Sequence, residues 1–147
     1  MLPHNPLICS KEDFDYYQTW IPKPEPEPAS ALARLHPAIQ KWRDRRGVDS
    51  LTTEQNHRAM AAYYGLVAEL DRNVGRIAEA ISSSADSEST AVIYTSDHGD
   101  MCGEHGMWWK SNFYQGSASI PFLASWPGRF PSGVTESSVA SLIDVGP

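Results

Sequence analysis

The sequence is short of cysteine, short of positive charge and without long apolar runs. Its two cysteines, Cys9 and Cys102, lie far apart and form no C-x-x-C pair. That excludes a disulfide framework and a zinc knuckle, and reads as two reduced thiols of a cytoplasmic protein. Twelve basic residues face eighteen acidic ones, for a net charge of -6. A general nucleic-acid binder needs a basic face, so that class is excluded. No apolar run reaches the roughly 18 residues of a membrane span. The start, MLPHNPLICS, has neither the basic residues nor the apolar stretch of a signal peptide. What remains is a 147-residue chain, 41% hydrophobic and 20% charged, with the balance of a globular domain.

Prolines at 3, 6 and 22 make residues 1–21 read as irregular or briefly extended. Residues 22–50 read as a connector: IPKPEPEPAS alternates proline with charge, and a short helix is expected on each side of Pro37, with Gly47 as a stop. Arg43, Arg45 and Arg46 read as a solvated basic face. The clearest helix spans 54–82. Met60, Tyr63, Val67, Leu70, Val74, Ile77 and Ile81 recur at helical spacing, and Thr52 with Gln55 fits a capping box. That stripe is expected to be core, with Gly65 and Gly75 permitting close packing on a sheet. AVIYTS (91–96) and SIPFLASW (119–126) read as buried strands, and PGRFPSG as a turn-rich exit. Helix, strand, loop and strand together predict an α/β fold.

The loop between those strands carries the chemistry. Residues 95–114 hold three carboxylates, two histidines, a lysine and two adjacent tryptophans. In open α/β sheets ligands collect beyond the carboxyl ends of strands. Asp97 and His98 stand there, and Gly99 helps the backbone turn so that both side chains reach one ion. A carboxylate with an imidazole suits manganese, iron or zinc better than calcium or magnesium, and at least two further ligands are required. Taken alone, D-H-G also describes a loop in which Asp97 caps a turn and His98 is a satisfied polar neighbour. Lys110 alone would only cover tryptophan faces.

The longer pattern carries more. S-D-H-G-D at 96–100, G-E-H-G at 103–106, Trp109-Lys110, F-Y-Q-G-S at 113–117 and Ile120-Pro121 occur in one run. That run resembles the metal-binding segment of type I sulfatases, in the alkaline phosphatase superfamily, and is most similar to the choline-sulfatase and phosphonate monoester hydrolase branch. P-H-N-P-L at 3–7, Y-Y-G at 63–65 and L-D-R-N-V-G at 70–75 resemble other segments of that family. The resemblance implies a partial alkaline-phosphatase-like sandwich, a central sheet flanked by helices, over residues 1–147. It implies Asp97 and His98 as metal ligands for calcium, manganese or magnesium, Lys110 on an oxygen of the sulfate or phosphate group, and His4 near the ester oxygen. His105, Asp100, Glu104 and Trp109 are implied as substrate contacts or supporting partners, with a hydrogen-bonded loop residue as the other reading of His105. Asn112 is not assigned to substrate. Ser119 stands where relatives often place arginine.

The family's nucleophile is a formylglycine made from cysteine in a C-x-P-S-R or C-x-A-S-R context. Neither CSKED around Cys9 nor CGEHG around Cys102 fits. The expectation is therefore the later part of a catalytic domain, inactive alone, whose apolar faces and sheet edges associate with other copies or with a missing half. A leader on such a missing part would move the compartment to the periplasm. The implied function is hydrolysis of a small-molecule sulfate monoester, with choline sulfate as one candidate because Trp108, Trp109, Phe113 and Tyr114 either cage a quaternary ammonium or pack the core. A phosphonate monoester or phosphodiester hydrolase is a second reading. A non-catalytic metal-binding or interaction remnant is the third.

Overall fold

Ser10 starts the first helix, accepting from the Asp13 amide at 3.1 Å while its hydroxyl donates to the Asp13 carboxylate at 2.7 Å. In the computed structural model, which describes residues 2–146, α1 runs Lys11–Trp20. Glu12 and Asp13 in its first turn complement the helix dipole. This corrects the expectation of an irregular segment over 1–21: a serine three residues before an aspartate is a helix-start pattern, and the flanking prolines all lie outside the helix.

Two short helices follow, α2 (Ala29–Leu32) and α3 (Pro37–Arg46). Pro37 takes the first position of α3, where its missing N–H costs nothing, and Gly47 ends it in the left-handed region at φ 66°. α4 (Thr53–Ser82) opens on the expected box: Thr52 Oγ1 accepts from the Gln55 amide at 3.1 Å, and Gln55 Oε1 from the Thr52 amide at 2.8 Å. Its buried residues are His57, Ala61, Ala62, Gly65 and Leu66, not the apolar stripe. α1 covers that small-residue face. A Cβ added to Gly65 would stand 2.6 Å from Cys9 Sγ, so this glycine serves the contact with α1 rather than with a sheet. Val67 and Ile77 of the stripe are exposed.

β1 (Val92–Thr95) pairs antiparallel with β4 (Phe122–Ser125), Val92 opposite Ser125 and Thr95 opposite Phe122. Both strands are shorter than the apolar runs that hold them. Neither is buried: Ile93, Phe122 and Leu123 are exposed. An open gap of about 480 Å³, lined by Val67, Leu70, Val74, Val92, Tyr94 and Leu123, separates the pair from α4. The stripe and the strands are therefore apolar surfaces that these residues alone do not cover. A second ladder, β2 (Met101–Cys102) with β3 (Trp108–Trp109), lies between β1 and β4 in sequence, and α5 (Gln115–Ala118) follows it. Part of the buried core sits here. Met101, Met107 and Trp108 are buried, as are Leu66 and Ala61 of α4 and Val48, and each large side chain contributes about 1.5–3 kcal/mol by burial.

Arg43 departs from the solvated face expected of its cluster. It is buried, its guanidinium donates to the His105 and Gly106 carbonyls at 2.7 Å each, and it pairs with Asp49. α3 is thereby tied to the turn at Glu104–Gly106 that leads into β3.

Candidate functional site

β1 ends at Thr95, and the backbone turns through Asp97–Gly99 before β2. Gly99 is required there: its amide donates to the Ser117 carbonyl at 2.9 Å, and an added Cβ would lie 2.2 Å from the Gly116 carbonyl oxygen. The β2–β3 ladder then doubles the chain back, so that Lys110, just past β3, returns to the residues that follow β1.

Lys110 Nζ lies 2.6 Å from His98 Nε2 and 3.4 Å from His4 Nε2. His98 Nδ1 is 2.7 Å from the Gly99 carbonyl, and His4 Nδ1 is 2.8 Å from the Asn5 carbonyl. A carbonyl only accepts, so each Nδ1 carries a proton. In the neutral rings both Nε2 atoms are then lone-pair acceptors, which Lys110 meets with its N–H groups. The Asp97 carboxylate is 3.5 Å from His98 Nε2, and its side chain is 81% exposed against 26% for His98. His4, Asn5, Arg46, Asp100, Trp109 and Lys110 line a hollow of about 190 Å³. Burial pushes the Asp100 carboxyl above its ordinary value, opposed by the nearby Lys110 ammonium.

Asp97 and His98 present one oxygen and one nitrogen donor on the same side. The Nδ1–H bond to a backbone carbonyl leaves His98 Nε2 unprotonated and able to ligate, the arrangement found behind metal-bound imidazoles. The donor set suits a divalent cation. Among the described residues no group of three or more histidines, cysteines or carboxylates converges.

The other residues singled out in the sequence fall away from this point. Glu104 accepts from the Cys102 amide at 2.6 Å and orders the turn. His105 stacks on Tyr114 at 4.4 Å between ring centroids and faces Glu27 at 3.8 Å. Asn112 Oδ1 accepts from the Tyr114 amide at 3.0 Å. Ser119 bonds Gln115 across α5. The four aromatics do not share one cage. Trp108 is buried and donates to Asn56 at 2.7 Å, Trp109 lines the hollow, and Phe113 and Tyr114 line a separate cleft with Trp42. The Cys102 thiol is pushed up to about 12, by burial first and then by Glu104 and Asp100, which leaves it protonated and unreactive at neutral pH.

Sequence reasoning missed Arg46 and Asn5. Arg46 was hidden in a basic run. The signal that would have separated it is its spacing from Trp42, four residues earlier on α3.

Solved structures place this architecture among alkaline-phosphatase-like hydrolases. The phosphonate monoester hydrolase of Agrobacterium radiobacter superposes with a TM-score of 0.71 at 25% identity, over 87% of this chain and 28% of that one. The phosphonate monoester hydrolase SpPMH from Silicibacter pomeroyi gives 0.72 at 25% identity, over 86% and 27%. The model of the family described as Sulfatase matches residues 9–147, and the chain belongs to that family. It is 30% identical to a choline-sulfatase of Rhizobium meliloti over 138 residues, which are 88% of this chain and 26% of the relative. An arylsulfatase of Clostridium perfringens is 34% identical over 133 residues, 89% of this chain and 27% of the relative. The chain thus spans about a quarter of the length of these relatives. No helix among the described residues is long and apolar enough to cross a membrane.

Proposed function

We propose that these residues form part of the catalytic domain of a sulfuric ester hydrolase, which cleaves a small-molecule sulfate monoester with the help of a divalent cation. The reading is carried by Lys110 Nζ standing between the Nε2 atoms of His98 and His4, beside Asp97. Hydrolysis of a sulfate ester spreads negative charge over the sulfonyl oxygens and the departing alkoxide. Lys110 donates to a sulfonyl oxygen. His4, once protonated at Nε2, gives that proton to the leaving oxygen. Asp97 and His98 would hold the cation, calcium, manganese or magnesium, which would supply charge to polarise the sulfonyl group. Asp100 balances the positive charge around Lys110, and Glu104 keeps the turn in shape. Trp109 walls the hollow, and His105 supports the loop from outside it.

The nucleophile, a formylglycine, comes from outside residues 1–147, as do the remaining metal ligands. Residues 22–50 serve as a connector inside the partial domain. The exposed faces of β1, β4 and α4 associate with the rest of the domain or with other copies. The compartment is cytoplasmic, or periplasmic if a leader precedes these residues. The decisive assay uses a polypeptide in which residues 1–147 follow a part bearing C-x-P-S-R or C-x-A-S-R. It should hydrolyse 4-nitrophenyl sulfate, with Lys110→Ala lowering kcat/KM by about 10²–10³. The 147-residue chain alone should not turn over; ordinary enzymatic rates from it would overturn this reading.

A second reading is favoured by the two phosphonate monoester hydrolases among the structural neighbours. Sulfur and phosphorus centres are nearly isosteric, and the same residues serve both. Faster turnover of a phenyl phosphonate ester than of the matching sulfate would select it.

A further inference from the structure

We infer that Arg46 grips a second anionic group, carried on the leaving-group side of the substrate. The inference rests on the sulfate-ester reading above. Arg46 closes α3, and its guanidinium carbon lies 5.5 Å from the ring centroids of both Trp42 and Trp109. The two rings stand 6.3 Å apart at 49°. A guanidinium held over aromatic rings spends none of its five N–H donors there. Among the described residues those donors meet no carboxylate and no carbonyl. Arg43, one turn earlier, is by contrast fully engaged with Asp49, His105 and Gly106. A preorganised, unpaired guanidinium facing a hollow is suited to a planar or forked anion taken through two parallel bonds.

Its position decides which anion. Arg46 lines the same hollow as His4, Asp100 and Lys110. Lys110 is half-buried and held between the two imidazoles, whereas Arg46 is exposed at the rim. An ester group seated at Lys110 lies inward, so what reaches Arg46 is another part of the same molecule. The Asp100 carboxylate also lines the hollow and would repel an anion. It is half-buried, however, and the Lys110 ammonium on the same hollow offsets its charge. The substrate class is therefore a sulfate monoester that bears a carboxylate or a second sulfate.

The test titrates the longer polypeptide described above, its C-x-P-S-R or C-x-A-S-R cysteine replaced by alanine so that it binds without turnover, with phenyl sulfate and with 4-carboxyphenyl sulfate, followed by tryptophan fluorescence and calorimetry. Wild type should bind the carboxylated ester roughly tenfold more tightly. Arg46→Met, which keeps an aliphatic stem on the rings, should erase that preference and leave phenyl sulfate unchanged. Arg46→Lys, which keeps charge without the fork, should retain part of it. Circular dichroism checks that both variants fold. Equal weakening of both esters by Arg46→Met would overturn the inference, because Arg46 would then hold the ester sulfate itself. Wild type without a preference, or binding neither ester, would overturn it as well. Lys110→Ala should weaken both esters alike. If it weakens neither while Arg46→Met still erases the preference, the role of Arg46 stands and the reading of Lys110 falls.

Discussion

Lys110 Nζ and His98 Nε2 approach to 2.6 Å, so the lone pair that His98 would offer a metal is occupied by a lysine N–H. A cation must displace that ammonium and tolerate its charge nearby. Lys110→Met should therefore tighten Mn²⁺ binding about five- to tenfold, the order of one unit charge a few ångströms away under partial solvent screening. Asp97→Ala should weaken it. Calorimetric titration of the three proteins checks both, and Lys110→Met without any gain would count against a shared site.

Arg43 ties α3 to the turn before β3. Arg43→Met should destabilise the fold by about 2–4 kcal/mol, because the His105 and Gly106 carbonyls lose their donors. Urea denaturation reads this as a lower midpoint. Arg45→Met, on an exposed side chain, should change stability by less than about 0.5 kcal/mol.

The two glycines of α4 should respond in opposite directions. At Gly75 nothing lies within 4 Å of an added Cβ, so Gly75→Ala should stabilise by about 0.5–1 kcal/mol through helix propensity alone. At Gly65 the added Cβ meets Cys9 Sγ at 2.6 Å and Cys9 Cβ at 3.0 Å. Gly65→Ala should therefore destabilise, and Cys9→Ala should recover part of the loss in the double variant. Thermal melts of the four proteins decide.

Arg72 joins α4 to α1 through two bonds to the Asp13 carboxylate, at 2.6 and 3.1 Å. That pairing, with the Ser10 hydroxyl, holds the Asp13 carboxyl below its ordinary value. A carboxyl whose folded pKa is depressed contributes stability above its unfolded value, and loses it as pH falls through the folded one. Asp13→Asn should therefore melt below wild type at pH 7, and the two curves should converge in acid, below the usual carboxylate range. A gap of constant size from pH 7 to pH 2 would rule this pairing out as the cause.

Some of this protein was fixed by local sequence. The box at Thr52–Gln55, the length of α4, the glycine stop after α3 and the position of Asp97 and His98 just past a strand all follow from neighbours within a few residues. Their physics is that of capping, periodicity and turn formation. The family pattern was legible for the same reason, as a run of residues in order. The start of α1 was legible too, in Ser10 and Asp13, but three nearby prolines obscured it.

What sequence did not settle depends on contacts between distant segments. The burial of Arg43, the approach of Arg46 to the rings of Trp42 and Trp109, and the meeting of His4 with Lys110 join α3 or the N-terminal segment to the stretch between β1 and β4. No local preference encodes them. The apolar stripe of α4 and the strands β1 and β4 were correctly apolar, yet they lie half-covered, because hydrophobicity states what a surface prefers to touch and only the assembled tertiary structure determines what covers it.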